Sequence, residues 1–182
     1  MQTALGFRAH SGWAAMVAAA GTTAAPRVLD RRRVIIAEGT RQPFHAAEEL
    51  PFAEAEAMIR KAEDSSRSLA HEALEAALRS LQRQGHEVVA CAVLMNSARP
   101  LPGLEAVLRS HALIHTAEGA LFREALIHAA CRHGLQVVCP REKELDAGLL
   151  AAIAPLGKHL GPPWTQDQKY AAAGALMALS GS

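Results

Sequence analysis

The chain has 182 residues, half of them hydrophobic, with an aromatic share of 4% and a formal net charge of +1. This length suits one domain, residues 1–182, and the balance of 19 basic against 18 acidic residues excludes an overall electrostatic attraction to nucleic acid or to an anionic membrane. Three scattered cysteines exclude a disulfide framework, and no apolar run is long enough to span a bilayer.

We therefore expect a cytoplasmic chain that makes no membrane contact. The alternative is export, because the Ala-rich run at 13–25 has the character of a weak signal-peptide core preceded by Arg8. Since the net charge is close to zero, any contact with nucleic acid would have to come from a local basic patch.

The first part of the chain predicts three strands. Two apolar runs flank a turn at 10–12, and a second turn at 21–26 leads into a β-rich stretch around Val34. Successive strands joined by short turns are typical of an antiparallel meander. The segment 40–51 is predicted as a loop, in which Pro51 suits the first turn of a following helix.

The remaining elements alternate between helices and strands. Apolar residues recur at intervals of three and four in the predicted helices, and nearly unbroken apolar runs mark strands that are buried on both faces. The predicted elements are a helix at 52–84, a strand at 86–95, a helix at 104–132, a strand at 135–139, and helices at 144–153 and 165–179. The order β-β-β-α-β-α-β-α-α predicts an α/β fold, a mixed five-stranded sheet with helices on both faces.

Three stretches have the order and spacing of a known family: LGFRAHSG at 5–12, AACRHGLQVVCPREKE at 129–144 and KYAAAGALMAL at 169–179. They resemble, in turn, the first strand, the helix–strand–turn segment and the closing helix of the RuvC-type Holliday-junction resolvases. The chain is therefore similar to the RNase H-like superfamily. This resemblance implies an RNase H-like fold and a link to nucleic acid.

The carboxylates of that family do not carry over. RNase H-like nucleases hold two divalent metals with three or four carboxylates. Arg8 stands at the position of the first-strand aspartate, and 92–95 offers no glutamate. The aspartate positions of the closing helix fall near Ala171 and Gly174, and Asp167, one turn earlier, compensates only in part. We therefore expect a binding or interaction protein, linked to nucleic acid, that lacks the metal-binding acids of the family.

A second hypothesis comes from His111, His115 and Glu118, which share the apolar stripe of one helix at about 100° per residue. Buried polar groups need partners, so these three form either a hydrogen-bonded polar network or a metal site. In the metal hypothesis they join His10, with His45 nearby, around a divalent ion such as zinc or manganese. The alternative function is then a metal-dependent hydrolase of the phosphodiesterase or nuclease type, with Glu118 and Asp167 as candidate catalytic residues.

Residues that could contact nucleic acid cluster near the predicted sheet end. Arginines can bind phosphates and tryptophan can stack on bases, although a solvated strand and a packing role explain the same residues. The candidates are Arg8, Trp13, Arg31, Arg32, Arg33 and Arg99. A third hypothesis is a homo-oligomeric scaffold in which Ala-rich helices, particularly 52–84, pack between subunits.

Overall fold

A mixed five-stranded sheet forms the centre of the protein. The computed structural model describes residues 1–96 and 100–181. The strands are β1 (Gln2–His10), β2 (Trp13–Gly21), β3 (Pro26–Ile35), β4 (Glu87–Val93) and β5 (Gln136–Val138). Their order is β3-β2-β1-β4-β5, in which β1 to β3 are antiparallel neighbours and β4 runs parallel to both β1 and β5. The predicted meander followed by parallel strands is confirmed.

Helices cover both faces of this sheet, as predicted. They are α1 (Pro43–Ala47), α2 (Phe52–Arg83), α3 (Leu104–Leu108), α4 (His111–Arg132), α5 (Ala147–Ile153), α6 (Gly157–Leu160) and α7 (Gln166–Ser180). One core lies between the sheet and the helices α1 to α4, and a second, Ala-rich core lies between the opposite face and the helices α5 and α7. Within the described ranges, no helix combines the length and the apolar character needed to cross a membrane.

The structure corrects three of the predictions about helices. The segment 40–51 is not an unbroken loop, because Pro43 begins the short helix α1 and Phe44 packs into the core. The predicted helix at 104–132 is two helices, since the extended backbone of Ser110 ends α3 and starts α4. The predicted helix at 144–153 begins only at Ala147, where the Asp146 side chain accepts a hydrogen bond from Leu149 N–H at 2.7 Å.

Small residues let α7 approach the central strand closely. Gly6 of β1 lies directly beneath α7, and a Cβ at that position would come within 1.8 Å of the Ala171 carbonyl oxygen. Gly174 faces Ala92 of β4 and Leu94, which follows the last residue of that strand. The second core is therefore thin, and it places the first turn of α7 against the end of β1.

Candidate functional site

The packing of α7 on β1 determines which side chains meet at the end of the sheet. Arg8 follows Gly6 by two strand residues, a distance of about 6.6 Å along β1. Asp167 precedes Ala171 by one helical turn, about 6 Å along α7. Because Gly6 lies beneath Ala171 and the two steps are nearly equal, Arg8 meets Asp167.

Arg8 is held between two carboxylates. Its Nε and Nη2 donate to Glu142 Oε1 and Oε2 at 2.7 and 3.0 Å, and its Nη1 donates to Asp167 Oδ1 at 2.5 Å. Glu142 reaches this position from the turn after β5, where its N–H donates to the Met95 carbonyl at 3.2 Å. His10 Nε2 lies 2.9 Å from the same Asp167 oxygen. A two-pronged guanidinium–carboxylate contact of this kind is both strong and directional.

These contacts keep the arginine and one of its acids charged. Partial burial alone would raise the pKa of Asp167, but the hydrogen bonds from Arg8 and His10 lower that pKa below its ordinary value. The hydrogen bond to Glu142 raises the pKa of the Arg8 guanidinium, against the opposing effect of partial burial. The end of β1 therefore holds a permanent cation beside an ionised aspartate.

We call Arg8, His10, Glu142 and Asp167 the ion-pair cluster. A groove of about 470 Å³ opens beside it. Trp13 is the cross-strand partner of His10, and the two rings stack with their centroids 4.3 Å apart and their planes 13° apart. The guanidinium carbon of Arg33 lies over the Trp13 ring, 3.8 Å from its centroid. The groove is lined by Trp13, Arg31, Arg32, Arg33, Pro163, Thr165, Asp167 and Gln168.

The three consecutive arginines of β3 have different partners. Arg31 donates to the carbonyl oxygen of Leu160, the last residue of α6, and to those of Gly161, Pro162 and Pro163 in the connector to α7. Arg32 pairs with Asp30. Arg33 is exposed, and no described residue forms an ion pair with it. Arg31 therefore stabilises the connector that lines the groove, whereas Arg33 presents its guanidinium to solvent. The remaining candidate, Arg99, lies outside the described residues.

Three of the predicted metal-ligating histidines converge on the opposite side of the sheet. His45 of α1 meets His111 and His115 from the first turns of α4, and one ring nitrogen from each lies within 4.8 Å of the others. The Nε2 atoms of His111 and His115 are 3.1 Å apart. His111 and His115 are exposed and His45 is half-buried, so this cluster opens to solvent.

The composition of this cluster differs from the predicted one. His10 lies on the face covered by α7, bound to Asp167, because it follows Arg8 by two residues in the same strand. Glu118 does belong to the neighbourhood, but its Oε1 accepts hydrogen bonds from Phe44 N–H, His45 N–H and His45 Nδ1 at 2.9, 3.1 and 3.2 Å. Glu118 therefore binds and orients His45. The sheet separates His10 from the other three histidines.

Solved structures with the same fold include two of Thermus thermophilus RuvC. Thermus thermophilus RuvC in complex with a Holliday junction substrate is 15% identical, over 97% of this chain and 91% of that chain, with a TM-score of 0.55. A second Thermus thermophilus RuvC structure is 15% identical, over 96% and 90% of the two chains, with a TM-score of 0.51. No protein-family model and no curated protein matches the sequence.

These similarities establish the fold. The mixed five-stranded sheet with helices on both faces is the RNase H-like fold that RuvC adopts, as the resemblance implied. At 15% identity, a shared fold does not transfer an activity, because function depends on the residues of the site. Three features of this chain therefore bear on its function: the ion-pair cluster, the groove and the three histidines.

Two contributors to the ion-pair cluster were not apparent from the sequence. Glu142 stands in an ordinary charged turn, REKE, and nothing in that pattern shows that it reaches Arg8 across 134 positions. Tyr170 is the second, since its ring lies 5.2 Å from the Arg8 guanidinium carbon. The spacing of Asp167 and Tyr170 by three residues places both on one helix face, which was the available signal.

Proposed function

We propose that this chain is a nucleic-acid-binding domain with an RNase H-like fold, which does not use the two-metal carboxylate chemistry implied by its family resemblance. The groove beside the end of β1 carries this proposal, because it combines an aromatic ring with a concentration of arginines. Aromatic side chains and arginines in one groove are typical of surfaces that follow a nucleic-acid backbone.

The charge distribution of the groove supports phosphate binding. Three arginines and one aspartate line it, and that aspartate already binds Arg8 and contacts His10. Asp167 therefore already has a cationic partner within the chain, and Arg33 remains available to donate to phosphate oxygens. Its position over Trp13 orders the guanidinium before any ligand arrives, which reduces the entropy lost on binding.

The ion pairs of Arg8 support the absence of two-metal chemistry. Glu142 and Asp167 are the carboxylates that bind Arg8 among the described residues, and the guanidinium lies between them. A divalent ion at this position would have to displace a cation that belongs to the chain and that both carboxylates already bind. We infer that the site carries a structural ion-pair network where the resemblance implies metal ligands.

The prediction for binding concerns Arg33. Fluorescence anisotropy with labelled four-way junction, duplex and single-stranded DNA is expected to show binding that weakens as the salt concentration rises. Arg33→Ala is expected to raise the Kd about tenfold, because one phosphate contact is lost. The slope of log Kd against log salt is expected to fall by about 0.9 for a duplex.

Arg60→Ala is the matched control, since Arg60 is a well-exposed arginine of α2, on the other side of the sheet. Its loss is expected to leave the Kd unchanged within a factor of about two. The proposal fails if the wild-type protein binds none of the three DNAs at low salt. It also fails if the two variants lose affinity equally, which would indicate a diffuse effect of net charge.

A second candidate function is the metal-dependent hydrolase, which the convergence of His45, His111 and His115 favours. Three imidazoles leave at least one position of a bound ion open, as in hydrolytic sites. Its test is hydrolysis of a chromogenic phosphodiester by the zinc-loaded protein. His111→Ala/His115→Ala is expected to abolish that hydrolysis, and equal rates in the wild type and the double variant would reject the hypothesis.

We further propose a cytoplasmic location, which the three free cysteines support, since an oxidising compartment would favour their pairing.

The homo-oligomeric scaffold stays a prediction. The long helix α2 packs against α4 of the same chain along one face, while its solvent face carries ion pairs of exposed side chains such as Arg79 with Glu75. A charged face of this kind favours solvent over an apolar subunit contact.

A further inference from the structure

The three-histidine cluster has the geometry of a ligand set. His111 and His115 are four residues apart in α4, so their side chains point in the same direction from successive turns. Their Nε2 atoms are 3.1 Å apart, and two ligands of a tetrahedral zinc ion are about 3.3 Å apart. His45 completes the group from a different element, with ring centroids 5.3 Å from His111 and 4.7 Å from His115.

Glu118 provides a second, independent observation at this cluster. Only 4% of the residue is exposed, and its Oε1 lies 3.2 Å from His45 Nδ1. A proton on Nδ1 that binds this carboxylate leaves Nε2 of His45 as the nitrogen with a free lone pair. Carboxylate–histidine pairs of this kind orient metal-ligating imidazoles and increase their basicity.

One oxygen of the Glu118 carboxylate could still accept a hydrogen bond or contact a cation. Glu118 Oε2 is buried, and no described residue forms a hydrogen bond with it. A buried carboxylate oxygen without a hydrogen bond is stabilised by a nearby positive charge. A divalent ion bound to the neighbouring histidines would supply that charge.

We propose that His45, His111 and His115 bind one zinc ion through their ring nitrogens, with Glu118 as the positioning residue behind His45. Imidazole ligands favour zinc over manganese, which prefers carboxylate, carbonyl and water oxygens. The exposure of His111 and His115 leaves the fourth position open to water or to a small ligand. The ion links α1 to α4 and so restrains the segment between β3 and α2.

The experiment measures bound metal on protein purified without an affinity tag. One equivalent of Zn²⁺ per chain is expected by elemental analysis and by titration against a chelating dye, with Mn²⁺ binding at least 100-fold more weakly. Substituted Co²⁺ is expected to give the intense visible absorption of a four-coordinate site. At 100 times its Kd, zinc is expected to raise the Tm by about 5–10 °C.

His111→Ala/His115→Ala is expected to abolish stoichiometric binding while leaving the far-ultraviolet circular dichroism unchanged, because both side chains are exposed. His128→Ala is the matched control, since His128 is an exposed histidine of the same helix outside the cluster. Glu118→Gln is expected to keep one zinc per chain and to raise the Kd about 10- to 100-fold. Zinc that is absent, that binds no better than Mn²⁺, or that survives the double variant would overturn the proposal.

Discussion

Gly6→Ala is expected to lower the free energy of unfolding by about 3 kcal/mol or more. The new Cβ would lie 1.8 Å from the Ala171 carbonyl oxygen, a distance that no rotamer change can relieve, because the obstructing atom belongs to the backbone of α7. Overpacking in well-packed cores usually costs 1–3 kcal/mol, and a displaced helix costs more. Urea unfolding followed by circular dichroism measures the loss directly.

Gly174→Ala is the matched control for Gly6→Ala. Its Cβ would also enter the second core, but it would meet Ala92 Cβ and Leu94 Cδ2 at 3.2 and 3.3 Å, contacts that a movement of a few tenths of an ångström relieves. Alanine is also favoured over glycine in a helix by about 1 kcal/mol, which offsets the crowding. The variant is therefore expected to remain within about 1 kcal/mol of the wild type. If both variants are equally stable, α7 does not pack on Gly6 as described.

Arg8→Ala is expected to lower the free energy of unfolding by about 2–3 kcal/mol at pH 7. The substitution removes both carboxylate contacts and leaves Glu142 and Asp167 partly buried without their cation. Removing one partner of a buried ion pair costs about 3–5 kcal/mol. Partial exposure of these side chains, about one-fifth to one-quarter, favours a value at or below the low end of that range.

The effect of Arg8→Ala is expected to depend on pH with a definite sign. The pKa of Asp167 is lower in the folded protein than its ordinary value, so its stabilising contribution is present above an unfolded pKa of about 3.9. That contribution is lost as the pH falls through the lowered pKa. The difference between wild type and variant is therefore expected to be larger at pH 7 than at pH 3.

Arg79→Ala provides the comparison for an exposed ion pair. Arg79 contacts Glu75 on the solvent face of α2, and both side chains are well exposed. Such pairs contribute about 0.3–0.5 kcal/mol. A loss for Arg8→Ala no larger than that for Arg79→Ala, or one that is unchanged between pH 7 and pH 3, would contradict the ion-pair network described here.

The fold was largely predictable because its signals are local. Unbroken apolar runs marked β4 and β5, and helical spacing marked α2, α4 and α7. The break at Ser110 was not predictable, since the surrounding sequence has no glycine or proline that would end a helix. The short helix α1 was missed for a related reason, because five residues are too few for a periodic pattern.

The candidate sites were predicted less completely, because side-chain partners are distant in sequence. The i, i+4 pair His111 and His115 could be predicted from helix geometry alone. The position of His10 required knowledge of which sheet face it occupies relative to α1, and that depends on how the helices pack. Arg31 was predicted to contact nucleic acid, but its guanidinium donates to the connector before α7, a contact across about 130 residues that no local pattern indicates.

Arg8 gives the end of the sheet a counter-ion that cannot dissociate. A magnesium ion held by carboxylates leaves when the free concentration in the medium falls or when a chelator competes for it. The guanidinium is covalently part of β1, so Glu142 and Asp167 keep the same cationic partner at every magnesium concentration. The shape and charge of the neighbouring groove are therefore expected to stay the same in EDTA and in millimolar Mg²⁺.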